Sequence, residues 1–392
     1  MIAKGQTVTE KLYEKDSELY VFEARVLTCE AVQGQGYAIE LDRTAFFPEG
    51  GGQYADRGSL NGILVRDVQI QEGHIRHFVD EPIQVGATVQ GVLDETVRFD
   101  RMQNHTGEHI LSGIAHAKWG LENVGFHLSD DEMTMDFDGE LTVEQLKELE
   151  LAANRAVWAN TAVSAAYPDA ETLASLNYRS KLELFEDVRI VTIDGVDACA
   201  CCAPHVKRTG EVGAIKIVGA IHHKGGMRLW VLCGGRALVD YTNKHEDILT
   251  ITRKQSVKPW QAVETVDKLA EDLLATRAAL SAARRELSEV KLATAVPDAN
   301  GNLLFFEADM DAGVQRSMAD HGADRVTDGI CGVFCSTENG YRYVCVSRSK
   351  PLRALGKEMN AALLGRGGGS DAMIQGTLGA TREQIDEFFA QL

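Results

Sequence analysis

Arg101-Met-Gln-Asn-His105-Thr-Gly-Glu-His109-Ile-Leu-Ser-Gly-Ile-Ala-His116 carries two histidines four residues apart. On a helix that spacing puts both imidazoles on one face, one turn from each other. Ile110, Leu111 and Ile114 supply a side on which such a helix packs. The expected helix starts near Asp94 or Thr96 and ends by Gly120. A second cluster stands far downstream, Ala198-Cys-Ala-Cys-Cys-Ala-Pro-His-Val206, in which Cys201 and His205 are again four apart. A lone His pair is ordinarily a core or surface feature. Two such pairs, one of them thiol-rich, make a nitrogen–sulfur set suited to zinc. Glu108 directly precedes the second His, so the stretch is not the His-Glu-x-x-His pattern of a zinc protease.

The chain has 392 residues, 44% hydrophobic and 25% charged, ordinary values for a soluble protein of two to four domains. It has no run of about 18 apolar residues and no basic-then-apolar leader, so neither a membrane span nor a signal peptide is expected. The eight cysteines, three of them crowded at 199–202, fit reduced thiols and metal better than a disulfide framework. The expected location is cytoplasmic. The net charge of −18 argues against broad nucleic-acid binding but leaves room for a local basic face. Two stretches offer one. Lys207, Arg208, Lys216, Lys224 and Arg228 are opposed within their window only by Glu211, and Arg342, Arg348, Lys350, Arg353, Lys357 and Arg366 only by Glu358. Either stretch alone reads equally well as a solvated face.

The fold class read from these patterns is α+β, in four parts. Residues 1–92 read as a small β-barrel or sandwich, because Tyr37, Ile39 and Leu41 alternate with polar positions and Asn61-Gly62 and Glu72-Gly73 mark turns. Within it, Arg43-Thr44-Ala-Phe-Phe-Pro-Glu-Gly50-Gly51-Gly52-Gln53 reads as a shaped loop facing a ligand, or more plainly as a hairpin turn. Residues 93–240 read as a mixed α/β domain holding the metal, with a capping box at Thr142 and Gln145. Residues 241–295 read as one long helix or a helical pair. There Val266, Leu273, Leu280 and Leu287 form one track of a heptad seam, with Leu269, Thr276, Ala283 and Val290 as the other. Residues 296–392 read as a small α/β unit. Its Gly365-Arg-Gly-Gly-Gly-Ser-Asp371 lacks the Walker and dinucleotide spacings and reads either as a phosphate-facing backbone loop or as a plain loop.

Three motifs, in order, carry a resemblance that covers nearly the whole chain. His105-Thr-Gly-Glu-His109 with Cys201-x-x-x-His205 resembles the zinc motif of the alanyl-tRNA synthetase editing domain. Thr44-Ala-Phe-Phe-Pro-Glu-Gly-Gly-Gly-Gln53, with Asp56 and Gly58, resembles the glycine-rich motif of the barrel that precedes it. Gly365 to Asp371 resembles the DHH-associated domain that ends such synthetases. With no room for an aminoacylation domain, the chain is similar to the long form of free-standing alanyl-tRNA editing proteins, the AlaX family. It departs from the family where Cys201-Cys-Ala-Pro-His205 stands in place of Cys-Gly-Gly-Thr-His. Cys202 is thereby a second thiol able to compete for zinc.

The resemblance implies a trans-editing deacylase for tRNA(Ala) mischarged with serine or glycine. It implies Zn2+ held by His105, His109, Cys201 and His205. Catalytic positions are Glu108, Thr44 and Gln53, although an exposed helix carboxylate is the plainer reading of Glu108. Thr44 is the expected contact for the serine hydroxyl. Gly50, Gly51, Gly52 and Arg228 are the expected substrate contacts. A C-terminal tRNA-binding unit and a homodimer through the long helix complete the expectation. The rival readings are a zinc-stabilised tRNA-binding module without catalysis, and a metal-dependent hydrolase of a small ester or amide.

Overall fold

The computed structural model describes residues 9–180 and 188–392, which divide into two compact units between Asp247 and Ile248. It is a mixed α+β structure.

The first unit begins with short alternating strands. Val21–Val32, Gly36–Leu41, His74–Val79, Ile63–Gln71, Gly58–Leu60 and Thr88–Leu93 pair antiparallel in that order, and the last pairs back to the first. Alternation puts Phe22, Ala24, Val26, Ile39, Leu41, Val65, Val68 and Val89 inside the closed ring, where they form one apolar core. The ring hands the chain to the helix Glu95–Trp119. Asp94 caps it by accepting from Val97 N–H, and Gly120 ends it at φ 68°.

That helix buries polar residues as well as apolar ones. The fully buried Arg98 bonds the Asp56 carboxylate and the carbonyls of Ser17 and Ala45, all in segments that flank the ring's strands. Arg101 bonds Asp130 and the carbonyl of Ala55. Deleting one partner of such a pair strands a buried charge, at a cost of about 3–5 kcal/mol. The helix packs on a four-stranded sheet ordered Ile215–His223, Gly226–Cys233, Met133–Phe137, Asn123–Leu128, and on the helix Val143–Ala159, which starts in the expected Thr142–Gln145 capping box. A three-stranded sheet, Val163–Ala166, Ile190–Ile193 and Asp197–Ala200, delivers the cysteine cluster to the helix.

The expected helical stretch is a pair, Gly234–Lys254 and Ala262–Thr294, parted by a turn at Pro259–Gln261. The second unit ends in a five-stranded sheet ordered Leu303–Glu307, Cys331–Thr337, Gly340–Val346, Met373–Leu378, Arg366–Gly369. The glycine run within 365–371, expected as a loop, therefore forms the edge strand Arg366–Gly369. A Cβ at Gly367 would lie 2.3 Å from Gln375 O, and one at Gly369 2.1 Å from Met373 O, so the close pairing itself selects glycine.

All eight cysteines are free. Among the described residues no helix is long and apolar enough to cross a membrane. Folding also changes the two basic stretches. Lys207 pairs with Asp16 and Glu18, Lys216 with Glu150, Arg228 with Asp136, and Arg348 with Asp320 and Asp324. Arg353, Lys357 and Arg366 are exposed and have no ion-pair partner among the described residues.

Candidate metal centre

His105 and His109 face inward one turn apart on the helix Glu95–Trp119, and Cys201 and His205 arrive just beyond the strand Asp197–Ala200. The four donor groups all lie within 4.8 Å of one another. The Nε2 atoms of His105 and His205 are 3.6 and 3.3 Å from Cys201 Sγ. A tetrahedral zinc with Zn–N of ~2.0 Å and Zn–S of ~2.3 Å holds its nitrogen and sulfur ligands about 3.5 Å apart, so the residues fit that ion. Cys202 is exposed and lies outside this group.

The electrostatics fit as well. Burial alone would raise the Cys201 thiol, yet His105, His205 and His109 hold it well below its ordinary range, as a thiolate ligand requires. Burial pushes His205 down to about 3, which keeps it neutral and free to donate a lone pair. His109 differs: burial opposes its charge, but Asp197, Cys201 and Glu108 carry its pKa well above the usual value, so a metal binding there would displace the Nε2 proton that these anions favour.

Each imidazole is held at Nδ1 by a different partner. Gln53 Oε1 is 2.7 Å from that of His105, Asp197 Oδ2 2.9 Å from that of His109, and Thr106 Oγ1 3.0 Å from that of His205. The amide oxygen and the carboxylate can only accept, so they select the tautomers that leave Nε2 of His105 and His109 for a metal, and the Thr106 hydroxyl can accept from His205 in the same way. Gln53 reaches the centre because its loop is stitched to the strand Asn123–Leu128. Leu128 N donates to Gly52 O, and Tyr54 N to Leu128 O. Gly52, at φ 87°, lets the loop come this close, since a Cβ there would sit 2.3 Å from Phe126 O. Gly51 faces open space, and Gly50 pairs backbone to backbone with Gln53.

Glu108 is 4% exposed, which removes the plainer reading of an exposed carboxylate. Its Oε1 accepts from Ser112 Oγ at 2.6 Å and from Asn123 Nδ2, and its Oε2 lies 3.8 Å from His109 Nε2. Thr44 is fully buried. Its hydroxyl lies 2.8 Å from His77 Nε2 and accepts from Phe46 N–H, while His77 Nδ1 lies 3.0 Å from Ile39 O. Arg228 is forked on Asp136 rather than standing free. Sequence reasoning missed Asp197, Arg179, Ser112 and Asn123. Only Asp197 carried a local hint, as an acid four residues before Cys201.

Comparison with known proteins places these residues in context. Residues 188–229 match the threonyl and alanyl tRNA synthetase second additional domain, and residues 3–97 match the class II (A) tRNA synthetases. An alanyl-tRNA editing protein AlaX-L from Pyrococcus horikoshii is 28% identical, with 96% of each chain covered. The alanyl-tRNA editing protein Aarsd1 of Mus musculus is 31% identical over 66% of this chain and 67% of its own. An alanine–tRNA ligase from Methanopyrus kandleri is 29% identical over 94% of this chain. The chain spans only 42% of that ligase.

Proposed function

The chain belongs to the alanyl-tRNA editing proteins, and from that premise we propose that it hydrolyses the aminoacyl ester of tRNA(Ala) mischarged with serine, and with glycine as a second substrate. The convergence of three imidazoles and one thiolate at zinc-like spacing carries this reading. His105, His109, Cys201 and His205 would hold Zn2+, which supplies Lewis acidity and acidifies a bound water.

The protein's own groups supply the rest. Glu108 is a buried carboxylate aimed at the cluster by Ser112 and Asn123, and it serves as the base for the attacking water. Gln53 holds His105 through Oε1, while its buried Nε2 has no partner among the described residues and is a donor for the oxygen that gains charge as the ester carbonyl is attacked. Serine is separated from alanine by a site that hydrogen-bonds the side-chain hydroxyl, a device that discriminates by about 10⁴ or more. Thr44 is the assigned reader. Its hydroxyl must exchange His77 for the substrate, so Thr44→Val tests the assignment: loss of serine release with alanine still spared supports it, and unchanged kinetics reject it. Gly50, Gly51, Gly52 and Arg228 border the bound ester and terminal adenosine. The unpaired Arg353, Lys357 and Arg366 provide phosphate contacts for the tRNA body in the C-terminal unit. Exposed Val266, Leu273, Leu280 and Leu287 pair two copies along the long helix.

The test is release of serine from Ser-tRNA(Ala) by purified protein, with Ala-tRNA(Ala) spared. A second reading, a metal-stabilised tRNA-binding module, is favoured by one observation, that four donor groups converge and would together fill a tetrahedron. Binding of tRNA without deacylation would establish it.

A further inference from the structure

The three imidazoles of the centre differ in what holds them. His105 has a neutral amide and His205 a hydroxyl, whereas His109 has a carboxylate. That carboxylate is itself gripped. Arg179 Nε lies 2.8 Å from Asp197 Oδ1 and Arg179 Nη2 2.8 Å from Oδ2, a bidentate fork, and the Asp197 side chain is 2% exposed. The backbone fastens Arg179 in register with the same strand: Arg179 N donates to Ala198 O, and Ala200 N to Arg179 O. The helix side is shaped to match. Gly113 stands one turn after His109, and a Cβ there would meet Val196 O at 2.4 Å and Asp197 Cβ at 2.7 Å. Any larger residue would push the helix off the carboxylate.

We propose that Arg179 and Asp197 are a positioning pair that makes His109 the anchor ligand of the metal centre. Asp197 fixes the imidazole plane by accepting from Nδ1, and the two-point Arg179 fork holds Asp197 immobile beside a water-accessible cavity that both line. The proposal rests on the metal-binding part of the function above and not on its substrate.

The experiment is competition of the full-length protein against a chelator for Zn2+ and Co2+, without tRNA, with the cobalt d–d spectrum as a readout of ligand geometry. Asp197→Asn is expected to weaken metal binding about 10–100-fold and to alter the cobalt spectrum, while metal-saturated protein melts as the parent does. Arg179→Met is expected to lose less. The double variant should lose no more than Asp197→Asn alone, because Arg179 acts through Asp197. Parental affinity in Asp197→Asn, or losses that add in the double variant, would overturn the proposal, as would a parent protein that binds neither metal. If Asp197→Asn does not fold, Arg179→Lys carries the test: a single-point contact weakens binding if the fork matters, and unchanged affinity overturns it. A parent that binds metal normally but leaves mischarged tRNA intact would remove the deacylase reading while leaving this pair in place.

Discussion

Two helices of this molecule invert the usual relation between pattern and burial. The 25-residue helix Glu95–Trp119 buries Arg98, Arg101, Asn104, His105, Thr106, Glu108, His109 and Ser112. The 33-residue helix Ala262–Thr294 carries the cleaner apolar repeat, yet buries only Ser288 and Leu292. The first is surrounded by protein, and each of these side chains has at least one partner within the fold. The second presents its leucines outward. Polar residues enter an interior when function needs them and partners are arranged. An apolar seam left outside describes a surface, not a core.

Perturbations of the first helix should be large. Glu108→Gln is expected to lower kcat for Ser-tRNA(Ala) by about 10²–10⁴ while metal content stays at the parent level. A small change would show that the carboxylate is buried for packing alone. Arg98→Ala should cost about 3–5 kcal/mol in urea unfolding, because Asp56 is left buried and unpaired. A loss under 1 kcal/mol would mean that the polar interior of this helix is not what fastens it to the ring.

A buried polar group on a strand extends the contrast to pH. Burial depresses His77 to about 4, against 6.5 when unfolded. The neutral ring favours the fold, so its contribution is complete above about pH 6.5 and drains away as pH falls toward 4, by roughly 3 kcal/mol in all. Unfolding free energies measured from pH 7 to pH 4 should show that loss, and His77→Gln should flatten it. The smallest effect belongs to the second helix. Leu273→Glu with Leu280→Glu should shift the stability of a single chain by no more than about 0.5 kcal/mol per site. Ultracentrifugation should nonetheless show loss of self-association, and a large drop in stability would mean that the seam packs within its own chain.

What the sequence made legible was local. His105 and His109 share a helix turn, Asp94 and Gly120 bound their helix, and Thr142 with Gln145 opens the next. All of these are relations within a few residues. The four candidate ligands stood out because two local pairs had complementary chemistry. Gln53 on His105, Arg179 on Asp197 and Asn123 on Glu108 were not legible, because each contact joins elements whose proximity only the fold creates. The basic stretches misled for the same reason: Asp16, Glu18, Asp136, Glu150, Asp320 and Asp324 lie outside the windows that looked uncompensated. The glycine run at 366–369 read as a loop because flexibility and close strand pairing select the same residue.

The strand Asn123–Leu128 has two loads. Near its start Asn123 aims the Glu108 carboxylate, and near its end Phe126 and Leu128 receive the loop that delivers Gln53 to His105. A displacement of this one strand would therefore disturb the Glu108 carboxylate and the His105 imidazole together. Substitutions along it are constrained jointly, so drift at either end requires compensation at the other, and directed evolution of this centre should find few productive single steps there.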